Sequence, residues 1–152
     1  MKRIGIAGFG KIGKLRKEIL QKRNDVNIVA IYDIKKPKYL EKNIKFCSTY
    51  EELISSDLDA IFICTYNNVI AEYTIIALKN NIDIFCEKPP ATNLKQLKKV
   101  INQYKKSKSI LKYGFNHRYH YSVIEAKKII ESGKMGKLLW LRGVYGKAGS
   151  ID

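Results

Sequence analysis

Apolar positions along the first 115 residues follow two alternating patterns. Short runs rich in Ile, Val and Phe are apolar at nearly every position, as expected of strands that are covered on both faces. Between these runs, apolar residues recur at helical spacing, as at Ile12, Leu15, Ile19 and Leu20. The predicted strands are 2–7, 26–32, 43–47, 60–65, 82–86 and 110–115. The predicted helices are 11–23, a short segment opened by Ser48 or Thr49, 67–79 and 93–106.

The order of these elements predicts the fold class. Strands alternate with helices, which indicates βαβ units and a doubly wound, mostly parallel α/β sheet. After Asn116 the pattern changes to an amphipathic helix over 119–132 and a strand-like run from Leu138 to Tyr145. We therefore expect one domain over 1–118, with the helix and first strand of an incomplete second domain over 119–152. An unpaired strand from Leu138 to Tyr145 would offer an edge to a second copy of the chain, so a homo-oligomer is predicted there.

The net charge of +15, from 29 basic and 14 acidic residues among 152, is the unusual feature of the composition. A field of this sign attracts anions of any kind. The lysines stand singly or in pairs, and Lys outnumbers Arg by 24 to 5, which is not the balance that bidentate phosphate readout favours. A solvated basic surface is the first interpretation, and attraction of anionic substrates is the second. Nucleic-acid binding is the third and has no supporting motif, so we expect no nucleic-acid partner.

Several other classes of protein do not fit this sequence. Every apolar run is far shorter than about 18 residues, so no transmembrane helix and no membrane partner are predicted. The basic start of the chain lacks the apolar stretch of a signal peptide, which favours a cytoplasmic protein. Cys47, Cys64 and Cys86 have no CxxC spacing and lie in or beside apolar runs. They are predicted to be reduced core residues, with no disulfide and no metal site.

The segment Gly8-Phe9-Gly10-Lys11-Ile12-Gly13 has the pattern GxGxxG and lies between a predicted strand and a predicted helix. This context is typical of dinucleotide-binding loops. Gly8 permits the tight turn, Gly10 allows a pyrophosphate to approach the backbone, and Gly13 allows the helix to pack close to the sheet. The N–H groups at the start of the helix then face the phosphates. The alternative interpretation is a glycine turn with a structural role only.

Asp33 ends the next predicted strand, 20 residues after Gly13, where dinucleotide-binding folds carry an acidic residue. Its carboxylate can accept hydrogen bonds from the adenine-ribose hydroxyls and would repel a 2′-phosphate. NAD is therefore favoured over NADP as the cofactor. Lys35 and Lys36 weaken this preference, since their charges can shield a phosphate. The alternative for Asp33 is a cap of its own loop.

The fifth predicted strand runs into Glu87-Lys88-Pro89-Pro90. Ligands of open α/β sheets bind beyond the carboxyl ends of the strands, so Lys88 is expected to point toward the nicotinamide. Pro89 restricts the backbone of Lys88 to extended conformations, and the bond between them is one that can be cis. Lys88 is a candidate for proton transfer and for holding a substrate oxygen. The alternative is a merely solvated lysine, one of 24.

Taken together, these segments resemble the glucose–fructose oxidoreductase / inositol dehydrogenase family (Gfo/Idh/MocA) along essentially the whole chain. The combination of the glycine loop with the Glu-Lys-Pro motif is specific to this family among dinucleotide folds. The YNN and NHRYH variants are most similar to the sugar or sugar-nucleotide dehydrogenase branches. The matching segments are GFGKIG (8–13), IVAIYD (28–33), STYEELISS (48–56), DAIFICTYNN (59–68), FCEKPPA (85–91), YGFNHRYH (113–120) and ESGKMGKL (131–138).

The resemblance implies a Rossmann domain and an NAD-dependent oxidoreductase that acts on a hydroxyl of a sugar, sugar nucleotide or cyclitol. Lys88 matches the family's catalytic lysine. His117 and His120 match no catalytic histidine of the family, so we interpret them as loop or helix-start residues. The chain departs from the family pattern at Tyr66, which is commonly Pro, and at Ile70, which is commonly His. The implied cofactor-binding residues are Gly8, Phe9, Gly10, Lys11, Ile12, Gly13, Asp33, Thr65, Tyr66, Asn67, Glu87, Lys88, Asn116 and Arg118.

Two further functions remain open from the sequence. The chain can be a regulatory module that senses a dinucleotide and contacts a partner through the strand from Leu138 to Tyr145. Lys88 favours an enzyme over such a module, because a sensor does not need a lysine that handles protons. Nucleic-acid binding rests on net charge alone.

Overall fold

The computed structural model describes residues 1–144 and residue 146. Its sheet has six strands, all parallel, in the order β3-β2-β1-β4-β5-β6. The strands are β1 Lys2–Ala7, β2 Val26–Tyr32, β3 Lys45–Cys47, β4 Ala60–Ile63, β5 Asp83–Cys86 and β6 Leu111–Tyr113. The helices are α1 Lys11–Leu20, α2 Tyr50–Ile54, α3 Asn67–Lys79, α4 Leu94–Tyr104, a 3-10 helix Asn116–Tyr119 and α5 Tyr121–Glu131. The predicted α/β Rossmann class is confirmed.

The strand order reverses between β1 and β4, and this reversal creates the crevice in which such sheets bind ligands. In the register, Ala7 lies beside Tyr32 on one side and beside Ile63 on the other. The ends of β1, β2 and β4 therefore meet at one edge of the sheet. The loops that follow them, which contain most of the predicted site residues, leave from that edge.

The core lies on both faces of the sheet, as the apolar runs indicate. On one face Ile4, Ile6, Ile28 and Ile31 pack with Leu20 of α1. On the other face, the larger cluster joins strands to α2, α3 and α4 and includes Ala30, Leu53, Ile61, Ile63, Ile70, Leu78, Ile84 and Val100. Since both faces are covered, the strands need the continuous apolar sequence that they have.

Three tyrosines pack beneath the end of β2. The rings of Tyr50 and Tyr73 are stacked with centroids 3.9 Å apart, and Tyr32 lies edge-on to both. The Tyr50 hydroxyl donates to the backbone oxygen of Tyr73 (2.8 Å), and the hydroxyls of Tyr32 and Tyr73 are 3.1 Å apart. Burial raises the pKa of Tyr50 and of Tyr73 far above the usual tyrosine value. The cluster is a neutral, hydrogen-bonded support for the residues just before Asp33.

Two predicted helix starts are confirmed by their side-chain caps. Thr49 Oγ1 accepts a hydrogen bond from Glu52 N (3.2 Å), and Asn93 Oδ1 accepts one from Gln96 N (2.9 Å). Each bond satisfies one of the N–H groups that the first turn of a helix leaves unpaired. Of the two cap candidates before α2, the structure selects Thr49.

Helix α1 differs from its prediction in length and in its buried face. It ends at Leu20, with Gln21 as its C-cap, rather than at 23. The apolar residues Ile12, Leu15 and Ile19 are 41–47% exposed, whereas Gly13 and Leu20 are buried. The helix therefore packs on the sheet through the side that contains Gly13 and Leu20.

The chain divides into two compact units, Met1–Phe115 and Asn116–Asp152. In the second unit, the described residues after α5 form no helix or strand. The predicted strand from Leu138 to Tyr145 is wrong for residues 138–144, and Tyr145 lies outside the described residues. A strand needs a neighbour for its backbone hydrogen bonds, and no described strand pairs with this segment. Oligomerisation through it remains a prediction, and none of the described helices is long and apolar enough to cross a membrane.

Candidate functional site

The loop after β1 requires glycine at two positions for different reasons. Gly8 has a φ of +86°, and a Cβ there would lie 2.6 Å from the backbone oxygen of Cys64. A Cβ on Gly13 would lie 2.0 Å from the backbone oxygen of Gly8. Gly8 N also donates to Tyr32 O (2.8 Å), which joins the loop to the end of β2. The loop is thus packed between the ends of β2 and β4, and the predicted roles of Gly8 and Gly13 agree with their surroundings.

Gly10 faces open space and begins α1. No atom lies within 4 Å of a Cβ built on it, and it is the N-cap residue of α1. Lys14 N donates to Gly10 O (3.1 Å), so the N–H groups of Lys11, Ile12 and Gly13 precede the first hydrogen bond of the helix. These N–H groups and the positive end of the helix dipole suit a phosphate group. The open space over Gly10 gives such a group access to the backbone.

The carboxylate of Asp33 is held against this loop. Oδ2 accepts a hydrogen bond from Phe9 N (2.5 Å), and Oδ1 accepts one from Lys35 N (3.0 Å). Asp33 therefore does cap its loop, as the structural alternative proposes. Each carboxylate oxygen can accept a further hydrogen bond, so the cap is compatible with ribose binding. Lys36 Nζ lies 5.8 Å from the centre of the Phe46 ring, and Lys35 is exposed.

The segment after β4 lies beside the glycine loop. Cys64 N donates to Ala7 O (2.7 Å), which carries the pairing with β1 one residue beyond the strand. The hydroxyl of Thr65 is buried and has no hydrogen-bond partner among the described residues. Tyr66 is 79% exposed and precedes α3 without a side-chain cap, and Asn67 is the first residue of that helix. An unpaired buried hydroxyl at this place suits a polar ligand group.

The two residues after β5 differ in their side-chain contacts: Glu87 is paired, whereas Lys88 has no partner among the described residues. The Glu87 carboxylate forms an ion pair with Arg16 of α1, and its Oε1 accepts from Arg16 Nε (3.1 Å) and from Nη2. A Cβ on Gly114, after β6, would lie 3.0 Å from Glu87 Oε2. Lys88 is exposed, and the peptide bond between Lys88 and Pro89 is cis. Among the described residues, the Lys88 side chain makes no hydrogen bond or ion pair.

Residues 2–115 match the family model GFO_IDH_MocA, which describes an oxidoreductase family with an NAD-binding Rossmann fold. The chain belongs to the Gfo/Idh/MocA family.

Members of the Gfo/Idh/MocA family are similar to the chain in sequence. The myo-inositol 2-dehydrogenase of Thermotoga maritima is 31% identical over an alignment of 141 positions, which covers 89% of this chain and 42% of that protein. The inositol 2-dehydrogenase of Salmonella typhimurium is 31% identical over an alignment of 157 positions including gaps, which covers 97% of this chain and 46% of the relative. The chain therefore spans less than half the length of these relatives.

Solved structures of the family agree with the fold. Myo-inositol 2-dehydrogenase from Lactobacillus plantarum has a TM-score of 0.80 at 27% identity, covering 91% of this chain and 43% of that one. Scyllo-inositol dehydrogenase from Lactobacillus casei, solved with bound NAD(H) and scyllo-inositol, has a TM-score of 0.76 at 25% identity. The match covers 90% of this chain and 42% of that one. These proteins share the Rossmann unit with the chain.

The first unit of this Gfo/Idh/MocA chain contains most of the residues predicted to bind the cofactor. Asn116 and Arg118 are instead exposed residues of the 3-10 helix, which belongs to the second unit. His117 and His120 lie on or next to that helix, with ring centroids 4.7 Å apart. The matched family model ends at Phe115, so these residues lie beyond the segment on which membership rests.

Burial makes the cysteines near the site poor nucleophiles. It raises the pKa of Cys64 and that of Cys86 to about 12, so both thiols are protonated at neutral pH. Cys47 is also buried, and all three cysteines are free. No group of three or more potential metal ligands occurs among the described residues. The predicted core placement is confirmed for Cys47 and Cys86, whereas Cys64 is half-buried.

Arg16 is the residue near the site that the motif analysis missed. It lies three positions after Gly13 and four before Leu20, the two buried residues of α1, so helical spacing places it on the same side. A single arginine within a lysine-rich helix that follows a glycine loop was the available signal. Its partner Glu87, 71 residues later, is not detectable from local sequence.

Proposed function

We propose that this chain is the cofactor-binding part of an NAD-dependent dehydrogenase that transfers a hydride between NAD and a ring hydroxyl of a cyclitol or sugar. The observation that supports this best is the glycine loop, with its open position at Gly10 and the Asp33 carboxylate bonded to Phe9 N (2.5 Å). Membership of an oxidoreductase family with an NAD-binding Rossmann fold gives the cofactor class. Two similar proteins named inositol dehydrogenases support the substrate class.

Among possible substrates, cyclitols have the most support. The relatives described above are named for myo-inositol, inositol or scyllo-inositol. A cyclitol and a sugar ring present the same chemistry, a secondary hydroxyl on a six-membered ring. A sugar nucleotide was the finer prediction from the YNN and NHRYH segments, and none of these relatives is named for one.

In this proposal the N–H groups at the start of α1 hold the pyrophosphate, with Gly10 allowing its close approach. Asp33 accepts hydrogen bonds from the ribose hydroxyls, and its negative charge disfavours a 2′-phosphate. Thr65, Tyr66 and Asn67 lie along the dinucleotide, and the unpaired Thr65 hydroxyl gains a partner there. When bound, the nicotinamide supplies the hydride acceptor or donor.

Lys88 is the proposed catalytic residue. It follows the carboxyl end of β5, its side chain is exposed, and the described residues supply no counter-ion. As an ammonium it holds the substrate oxygen by a hydrogen bond. As an amine it takes the hydroxyl proton when the carbon loses hydride, and it returns the proton in the reverse direction. Asn116 and Arg118 stay candidates for cofactor binding, on the family resemblance alone.

The regulatory-module alternative lacks its predicted contact surface. Its proposed contact surface was the strand from Leu138 to Tyr145, and residues 138–144 form no strand. Exposed Lys88 has no use in a sensor that performs no chemistry.

The test of this function is thermal unfolding of the chain with NADH and with NADPH. NADH is expected to raise the Tm in a concentration-dependent way, with stabilisation of about 2.7 kcal/mol at a hundred times the dissociation constant. NADPH is expected to give a smaller shift. Asp33→Asn should reduce the Tm shift with NADH and make it more similar to the shift with NADPH. Asp25→Asn, an exposed control, should leave both Tm shifts unchanged. No shift with either dinucleotide would contradict the proposal.

The substrate class is tested separately, by following NADH formation from NAD with myo-inositol, scyllo-inositol and a panel of sugars. Turnover with a cyclitol that Lys88→Ala abolishes would support both the class and the role of Lys88. Turnover restricted to sugar nucleotides would contradict the cyclitol assignment and leave the cofactor assignment intact.

A further inference from the structure

Arg16 and Glu87 form an ion pair between the two parts of the proposed site. Arg16 lies on α1, the helix whose first turn borders the glycine loop, and Glu87 directly precedes Lys88 at the end of β5. Their side chains are only 17% and 14% exposed. Arg16 Cζ also lies 5.0 Å from the centre of the Phe85 ring, so the guanidinium stacks on β5 while it bonds to the carboxylate.

Glu87 is held on its other sides as well. Glu87 N donates to Ile63 O (2.9 Å), and Gly114 N donates to Cys86 O (2.8 Å). Gly114 leaves just enough room for Glu87 Oε2, which would lie 3.0 Å from a Cβ there. Backbone and carboxylate of Glu87 are therefore both constrained by neighbouring elements.

Lys88 has no such side-chain support. Since it makes no hydrogen bond or ion pair with the described residues, its placement depends on the backbone that it shares with Glu87. A nearly buried carboxylate that loses its partner must either move toward solvent or take up a proton, because an uncompensated buried charge is unfavourable. Either response changes the surroundings of the next residue.

We propose that Arg16 is a positioning residue, which, through its ion pair with Glu87, sets the place and the charge environment of Lys88. Glu87 then acts by being held in the protein, rather than as a ligand of the cofactor. The pair ties the helix that borders the phosphate site to the strand end that carries the proposed catalytic lysine. The catalytic meaning of this inference rests on the proposed function, whereas the coupling between Arg16 and Lys88 does not.

The coupling is measured on the full chain without added ligand. Its lysines are dimethylated with carbon-13, which retains their charge, and the Lys88 signal is identified as the one missing from Lys88→Arg. The NMR titration midpoint of this signal is compared in wild type, Arg16→Gln, Glu87→Gln and the double variant. Lys17→Gln is the matched control, because Lys17 is the next residue of α1, is 14% exposed and pairs with Glu41.

The two single variants are expected to move the Lys88 midpoint in opposite directions. Arg16→Gln leaves an unpaired carboxylate, which favours the charged lysine and raises the midpoint. Glu87→Gln leaves an unpaired guanidinium and lowers it. A shift of about half a pH unit is expected at low ionic strength, because the charge of a neighbouring group changes by one unit. The double variant should lie near wild type, and Lys17→Gln should not differ from wild type.

Unchanged midpoints in both single variants, or shifts in the same direction, would overturn the proposal. A general loosening of the structure would not move the two midpoints in opposite directions. If Arg16→Gln does not fold, Arg16→Lys decides instead. It keeps the charge but loses the second donor to Glu87 Oε1, so the Lys88 chemical shift must change while the midpoint stays near wild type. An unchanged chemical shift would overturn the proposal. Failure of wild type to bind NADH would contradict the proposed function alone.

Discussion

Gly10 and Gly13 belong to one motif but face different surroundings. A side chain on Gly13 would collide with the backbone oxygen of Gly8, 2.0 Å away, whereas a side chain on Gly10 would meet nothing within 4 Å. Gly13 is thus needed for the fold, whereas the protein atoms around Gly10 give no steric reason for a glycine there. The need for a glycine at position 10 arises only if a phosphate group approaches the backbone there.

This contrast predicts different outcomes for two alanine variants. Gly13→Ala should lower the free energy of unfolding by more than about 2 kcal/mol, because backbone must move to admit the methyl group. Gly10→Ala should cost less than about 1 kcal/mol, the effect of alanine at an N-cap, yet abolish stabilisation by NADH. Urea unfolding with and without NADH measures both. Retained NADH stabilisation in Gly10→Ala would contradict the phosphate role of this loop.

Asp59 connects strands at the opposite edge of the sheet. Its Oδ2 accepts from Arg3 N (2.7 Å), and its Oδ1 accepts from Lys2 Nζ (3.2 Å). Its own N donates to Arg3 O (2.9 Å), and its O accepts from Asp83 N (3.1 Å). One residue thereby joins the starts of β1, β4 and β5. The hydrogen bonds from Arg3 N and Lys2 hold the pKa of Asp59 below its usual value.

A carboxyl group whose pKa is lowered by folding contributes stability above its unfolded pKa, and this contribution is lost as the pH falls through the folded value. Asp59→Asn should therefore have a lower Tm than wild type at pH 7. The difference should shrink below about pH 4, near the unfolded pKa of Asp. Asp57→Asn is the control, since Asp57 is 94% exposed and its φ of 53° suits asparagine. A Tm difference between Asp59→Asn and wild type that does not change with pH would contradict the stabilising role of the Asp59 charge.

The strands and helices of the first unit were largely predictable from local patterns. The structure gives β1, β2 and α3 the predicted bounds, because glycine turns, Asp33 and Asn67 delimit their apolar runs. Helix α1 was predicted too long, since Lys22 and Arg23 tolerate a helix but do not impose one. The run from Leu138 failed as a strand because its apolar composition does not provide a pairing neighbour.

The packing of the whole sheet determines the chemical state of the three cysteines. Cys47 and Cys86 end β3 and β5 and are fully buried, and Cys64 follows β4. Burial raises the pKa of the Cys64 and Cys86 thiols to about 12. Because the thiolate is the reactive form, these groups should react only when the sheet opens.

Thiol modification at pH 8 should therefore follow unfolding. We expect each of the three thiols to react with a disulfide reagent at least about a hundredfold more slowly in the native chain than in urea. The reaction rate should rise with urea along the same transition as the circular dichroism signal. Prompt reaction of one thiol in the native chain would contradict the described burial, and Cys64→Ser would then test whether the least buried cysteine is responsible.

Local sequence alone determined the order of elements, the glycine loop and the place of Asp33, because hydrophobic periodicity and backbone requirements are properties of adjacent residues. The tertiary structure decided which side of α1 faces the sheet and which charges meet at the end of β5. Arg16 and Glu87 are 71 residues apart, and only the strand order, with β4 between β1 and β5, brings them into contact. Contacts across a sheet depend on the packing of all its strands, so no local pattern contains them.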